Sequence, residues 1–144
     1  MSQVSSETVH ASSVAVDGVA VLIEGRSGSG KSDLALRLID RGGLLVSDDY
    51  TLCQRKDGGI VASAPATIAG QIEVRGVGIV SMEHAQQVTV ALIVTIVDTP
   101  ERMPEPVSSR LIAGVPLPVV TLAALEPSAP IKVEIALKRA LAAG

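Results

Sequence analysis

The chain has 144 residues and a net charge of −3, and although 47% of it is hydrophobic it holds no Phe, no Trp and a single Tyr. That length suits one domain burying roughly two-thirds of its unfolded surface, and the core must come from Val, Ile, Leu and Ala, the residues of buried strands in a helix-covered sheet. An acidic balance and the lack of aromatics exclude a phosphate-backbone binder or a base-stacking platform, so nucleic acid is not an expected partner.

Cys53 is the only cysteine, which allows no internal disulfide and fits a reducing compartment. Residues 1–8 are polar, with neither a basic start nor an apolar core, and do not read as a signal peptide. The longest apolar run, residues 88–97, is interrupted by two threonines. It is about half the length of a membrane-spanning helix and reads as a central strand. The expectation is a cytoplasmic protein without a membrane partner, forming a single domain over residues 1–144.

Residues 10–24 hold two β-favouring runs joined by Asp17-Gly18, the pair best suited to a tight hairpin. The second run enters a glycine-rich loop, after which Leu34, Ala35, Leu36, Leu38 and Ile39 recur at helical spacing until Gly42-Gly43 stops them. Leu44-Leu45-Val46 reads as a short buried strand ending in Ser47-Asp48-Asp49, and residues 50–54 as a further β segment before a turn at Lys56-Asp57-Gly58-Gly59. From 60 to 97 the pattern is mostly strand, with Pro65, Gly70, Gly76 and Gly78 as punctuation and a polar break near 83–87. Residues 99–106 form a proline-rich connection, 119–122 a strand, and the region after Glu126-Pro127-Ser128-Ala129-Pro130 a last helix. Ser128 is its candidate N-cap, and Ile131, Ile135, Leu137 and Leu141 are its candidate packing residues. No internal repeat or linker divides the chain.

Gly25-Arg26-Ser27-Gly28-Ser29-Gly30-Lys31-Ser32 matches the pattern Gly-x-x-x-x-Gly-Lys-Ser between an apolar strand and an amphipathic helix, the context of a phosphate-binding loop. Glycines let consecutive N–H groups turn toward an anion, the helix start adds its dipole, and Lys31 adds a full charge. In such loops the lysine reaches the β- and γ-phosphates of ATP, and the serine hydroxyl, here that of Ser32, ligates Mg²⁺. Asp48-Asp49, at the end of the next apolar strand, is placed to bring carboxylates to the γ-phosphate; alone, the pair also fits a solvated turn.

Four matches stand in fixed order: His10, the loop 25–32, Leu45-Val46-Ser47-Asp48-Asp49, and Ile72-Glu73-Val74-Arg75-Gly76-Val77-Gly78-Ile79. Together they resemble the HPr kinase/phosphorylase family, closely over residues 9–80 and more loosely beyond. The last match is the most family-specific. The resemblance implies an α/β P-loop domain with a mostly β central sheet and few helices. It also implies Asp49 as base toward a serine hydroxyl, His10 and Lys31 beside the phosphates, Arg75 in the same catalytic segment, and Mg²⁺ at Ser32 and Glu73, with Asp48 a further candidate metal ligand. HPr or a related phosphocarrier would be the partner, and the family's hexamers imply a homo-oligomer, in line with a mean hydropathy of +0.44. From the residues alone, His10 also reads as a surface histidine and Glu73 with Arg75 as an ion pair; His84 lies outside every motif.

The sequence departs from the family in two places. The family's N-terminal domain has no counterpart before His10, so a stand-alone catalytic domain is expected. Where the family carries an Arg-Pro-Gly-Arg-Asn-like loop linked to dephosphorylation, this chain has Leu125-Glu126-Pro127-Ser128, without either arginine. Losing two guanidinium groups removes ligands for an attacking phosphate, so the kinase direction is expected rather than the phosphorylase. A further family arginine is matched to Arg102, with Arg110 as the alternative. Two other functions compete: a nucleotide-sensing module with little transfer activity, and a small-molecule kinase, which would carry an arginine-rich lid not seen here.

Overall fold

The computed structural model describes residues 5–103 and 108–143. Their elements run β1 (Ser6–Val9), β2 (Ala11–Val16), β3 (Val19–Glu24), α1 (Lys31–Asp40), β4 (Leu44–Ser47), β5 (Thr51–Lys56), β6 (Gly59–Ser63), β7 (Gln71–Val74), β8 (Gly78–Ser81), β9 (Val88–Ile96), β10 (Ser109–Ile112), β11 (Val115–Leu122) and α2 (Ala129–Ala143). This is the mostly β, helix-poor α/β architecture that the sequence predicts.

The Asp17-Gly18 joint takes φ 51° and 84°, the left-handed pair of a tight hairpin, and β2 and β3 pair antiparallel from Val16↔Val19 to Ala11↔Glu24. Helix α1 buries Leu34, Ala35 and Leu38 and ends where Gly42 turns at φ 106°. The main sheet has nine strands in the order β1-β5-β6-β9-β3-β2-β4, with β11 added to β9 and β10 to β11. Strand β9 runs parallel to both β3 and β11.

Strand alternation sends side chains to two cores. Val21 and Ile23 of β3 join Leu92 and Val94 of β9 beneath Leu34 and Leu38 of α1 and Val133 and Leu137 of α2. Ala20 and Leu22 point the other way, toward Val46, Cys53, Ile60, Ala62 and Ile112. Both helices therefore cover one face, and the outer strands fold over the other. The register steps from Ala20↔Val90 to Val21↔Leu92, which makes Ala91 an extra residue and puts Val90 and Ile93 in the same core.

Several expectations need correction. Residues 60–97 are not one continuous sheet: β7 and β8 form a separate two-stranded hairpin, detached where Pro65 and Gly70 interrupt the chain. The strand expected at 119–122 starts at Val115, because the prolines at 116 and 118 are accommodated within a pairing with β10 rather than ending the strand. Residues 6–8, read only as part of a polar start, join Val9 in β1 on the edge of β5. In α2, only Leu137 of the four candidate packing residues is buried; Ile131, Ile135 and Leu141 face outward, while Ala129, Pro130 and Val133 turn inward. The proline-rich connection is described only to Met103, and residues 104–107 lie outside the described residues. No helix among the described residues is long and apolar enough to cross a membrane.

Candidate active site at the strand ends

In α/β sheets, ligands bind beyond the carboxyl ends of the parallel strands. Here the chain leaving β3 enters the glycine-rich loop, the chain leaving β4 supplies Asp48 and Asp49, and the chain leaving β11 brings Leu125 over the loop. A cleft of about 570 Å³ opens between them, lined by loop residues 27, 28 and 30–32, Asp48, Asp49, Glu73, Arg75 and Leu125.

The loop's tightness depends on its glycines. A Cβ on Gly25 would lie 2.7 Å from Ser29 Oγ and 3.1 Å from Ile96, so only glycine lets the loop pass that close to β9. Gly30 sits at φ 100° and provides no side chain to cap α1, leaving first-turn N–H groups that an anion can satisfy. Lys31 is 6% exposed and donates to the loop's own carbonyls at Gly25 (3.0 Å) and Arg26 (3.3 Å). Ser29 Oγ is buried without a hydrogen-bond partner. A loop with an interior cation and an unspent hydroxyl fits a phosphate chain.

The two adjacent aspartates do different things. Asp48 is buried: its Oδ1 accepts from Ser32 Oγ at 2.6 Å and Ser12 Oγ at 3.0 Å, and its Oδ2 accepts from the Glu73 N–H at 2.9 Å. Asp49 takes a left-handed φ of 68°, which swings its carboxylate out of the strand to 53% exposure. There its Oδ1 lies 2.9 Å from His10 Nε2 and 4.0 Å from Lys31 Nζ. One acid thus braces the loop serine, while the other faces the cleft paired with two nitrogen groups.

Of the residues singled out from sequence, Lys31, Ser32, Asp48, Asp49, Glu73 and Arg75 come together around the cleft, and His10 reaches it through Asp49. Arg26 turns away to pair with Asp98 in solvent. Arg102 is exposed and is not part of the cleft wall, while its alternative Arg110 is held by Glu24. His84, exposed, pairs its backbone with Leu45. Ser12 escaped sequence reasoning. Wholly buried, it donates to Asp48 and accepts the Asp49 N–H at 3.0 Å, so one hydroxyl ties both acids to β2. Only its place two residues after His10 in a strand beside the loop could have signalled it.

The donor set also suits Mg²⁺, since Ser32 Oγ and the Asp48 carboxylate already touch and Glu73 opens onto the same cleft. Among the described residues no group of three or more His, Cys, Asp or Glu forms a metal site by itself. An ion here would complete its shell with phosphate and water oxygens.

Fold and cleft together describe a mostly β α/β domain whose glycine-rich loop and neighbouring acids could hold a phosphate group and a cation. Residues 2–123 match the family described as HPr Serine kinase C-terminal domain, and the chain belongs to that family. It is 43% identical over 74 residues to an HPr kinase/phosphorylase of Clostridium botulinum (strain Eklund 17B / Type B) and 49% identical over 75 residues to one of Geobacillus sp. (strain WCH70). Each alignment covers 51% of this chain and 24% of the relative, so the matched stretch is about a quarter of those proteins. The structure of the Hpr(Ser) kinase/phosphatase from Coxiella burnetii superposes with a TM-score of 0.81 at 29% identity, covering 96% of this chain and 99% of that one.

Proposed function

We propose that the chain is an ATP-dependent protein serine kinase, a single catalytic domain that phosphorylates HPr or a related phosphocarrier of the phosphotransferase system in the cytoplasm. The observation that carries this reading is the half-exposed carboxylate of Asp49, set between His10 and Lys31 at the mouth of the glycine-rich loop. Phosphoryl transfer asks a protein mainly for positioning, charge neutralisation and one group to take the hydroxyl proton. Lys31 and the start of α1 would hold the β- and γ-phosphates. Asp49 would accept the proton of the attacking serine as its oxygen bonds to the γ-phosphorus and ADP departs, and His10 would steady that carboxylate. Ser32, Asp48 and Glu73 would hold Mg²⁺, which neutralises phosphate charge when bound, and Arg75 would meet the transferred group from the β7 end.

Leu125 at the cleft, where the family's arginine loop belongs, favours forward transfer over phosphorolysis. The same substitution, together with Arg102 standing outside the cleft wall, supports a second reading as a nucleotide-sensing module with little transfer activity. Self-association into a hexamer follows the family resemblance.

The test is incubation of the purified chain with radiolabelled ATP, Mg²⁺ and HPr, followed by mass-spectrometric location of the label. Label on an HPr serine, cut by a factor on the order of 10² in Asp49→Asn, is the expected result. Tight ATP binding with no transfer to HPr would establish the sensing module instead.

A further inference from the structure

Tyr50 is the only aromatic residue of the Phe, Tyr and Trp class in the chain, and it is left 47% exposed beside the cleft instead of entering either core. Its ring stacks on the imidazole of His10, with centroids 4.9 Å apart and planes inclined by 21°. Two hydrogen bonds clamp its backbone: its N–H donates to Asp48 O at 2.7 Å, and its carbonyl accepts from Ser47 Oγ. The ring is thus presented from a fixed base. His10 is itself exposed, and the imidazole's hydrogen bond within the site is the one from Nε2 to Asp49 Oδ1. One hydrogen bond leaves an imidazole free to swing about its χ angles; a flat ring against one face removes most of that freedom.

We propose that Tyr50 is a positioning residue: it holds the His10 ring so that Nε2 stays on Asp49, and through His10 it fixes the direction of a carboxylate that is otherwise half in solvent. The groups facing this pair are Lys31, 4.0 Å from Asp49 Oδ1, and the Ser12 hydroxyl that accepts the Asp49 N–H. Among the described residues neither of them hydrogen-bonds the imidazole, and the ring stacked on it is that of Tyr50. A merely structural role would make Tyr50 matter for folding. Its half-exposed ring and membership in neither core predict that it matters for geometry.

The proposal rests on the kinase reading for its kinetic consequence but not for its geometric one, and two measurements separate them. Steady-state transfer from ATP to HPr should show kcat falling about tenfold in Tyr50→Leu with KM for ATP unchanged, and recovery in Tyr50→Phe, which keeps the ring. Unchanged kcat in Tyr50→Leu would overturn the proposal. Proton NMR of the two histidines, assigned with His10→Asn, should show the His10 ring signals displaced by the stacked ring in the parent and returning toward random-coil positions in Tyr50→Leu, with His84 unmoved. Asp49→Asn should then shift the His10 signals when Tyr50 is present and leave them in place in Tyr50→Leu. His10 signals indifferent to Tyr50→Leu would show that there is no such stack and overturn the idea. A chain that phosphorylates nothing would overturn the kinase reading, and the resonance cycle would still decide the positioning.

Discussion

Single atoms decide what this cleft can do. Lys31 points a full positive charge into the loop while Arg26 turns out to solvent, and Lys31→Ala should weaken ATP binding at least tenfold in an equilibrium titration. Undiminished affinity would show that the phosphates bind elsewhere. Ser12 acts at one remove. Replacing it by Ala leaves the Asp49 N–H without its acceptor and lets the Asp48 carboxylate relax. Ser12→Ala should therefore cost about 1–3 kcal/mol in denaturant unfolding and lower kcat in the transfer assay, with the folded far-UV spectrum retained. Full stability in that variant would mean that water replaces the hydroxyl.

Between elements, the contrast to test is the inward and outward faces of α2. Leu137 is buried against both the sheet and α1 and Ile135 is exposed. Leu137→Ala should cost about 2–5 kcal/mol and Ile135→Ala well under 1 kcal/mol; the reverse order would mean that this face of α2 is covered in solution. The helices are also tied by Arg41, at the end of α1, which donates to both carboxylate oxygens of Glu134 at 3.0 and 2.7 Å. That hydrogen bond, with the Arg41 charge behind it, holds the Glu134 carboxyl below its usual 4.5. A depressed folded pKa stabilises above the unfolded value and is lost as pH falls through the folded one. The tie should contribute in full above the ordinary value of 4.5 and fade as pH falls below it. Glu134→Gln should lower stability by no more than about 1 kcal/mol at pH 7, and by less at pH 3, in paired thermal melts.

At the scale of the whole molecule, Cys53 reports on opening of the second core. Burial, with the Glu7 carboxylate adding to it, pushes its thiol up to about 12. The folded chain should resist alkylation at pH 8, and the labelling rate should follow the population of opened molecules, reaching that of a free thiol only in denaturant. Rapid labelling under native conditions would mean that β5 and β6 separate from the sheet without global unfolding. The raised pKa also has a sign for stability: the thiol favours the fold below pH 9 and loses that contribution as pH climbs toward 12.

The sequence by itself determined what depends on neighbours along the chain. Asp17-Gly18 dictates its hairpin because only residues tolerant of positive φ fit there, and Gly25 to Ser32 dictates a tight glycine-rich turn because it stands between an apolar strand and an amphipathic helix. Tertiary structure decided what depends on partners far along the chain. Asp48 and Asp49 differ in sequence only through the family resemblance, and a left-handed turn at Asp49, secured by Ser12 from a neighbouring strand, sends one inward to Ser32 and the other out to His10. Periodicity offered two faces for α2, and the sheet selected the one bearing Val133 and Leu137. Arg102 matched a motif by order alone, and its exposed place outside the cleft wall was set by where the strands ended. Local rules travel through backbone sterics and spacing, whereas the identity of a side chain's partner is settled only when distant strands meet.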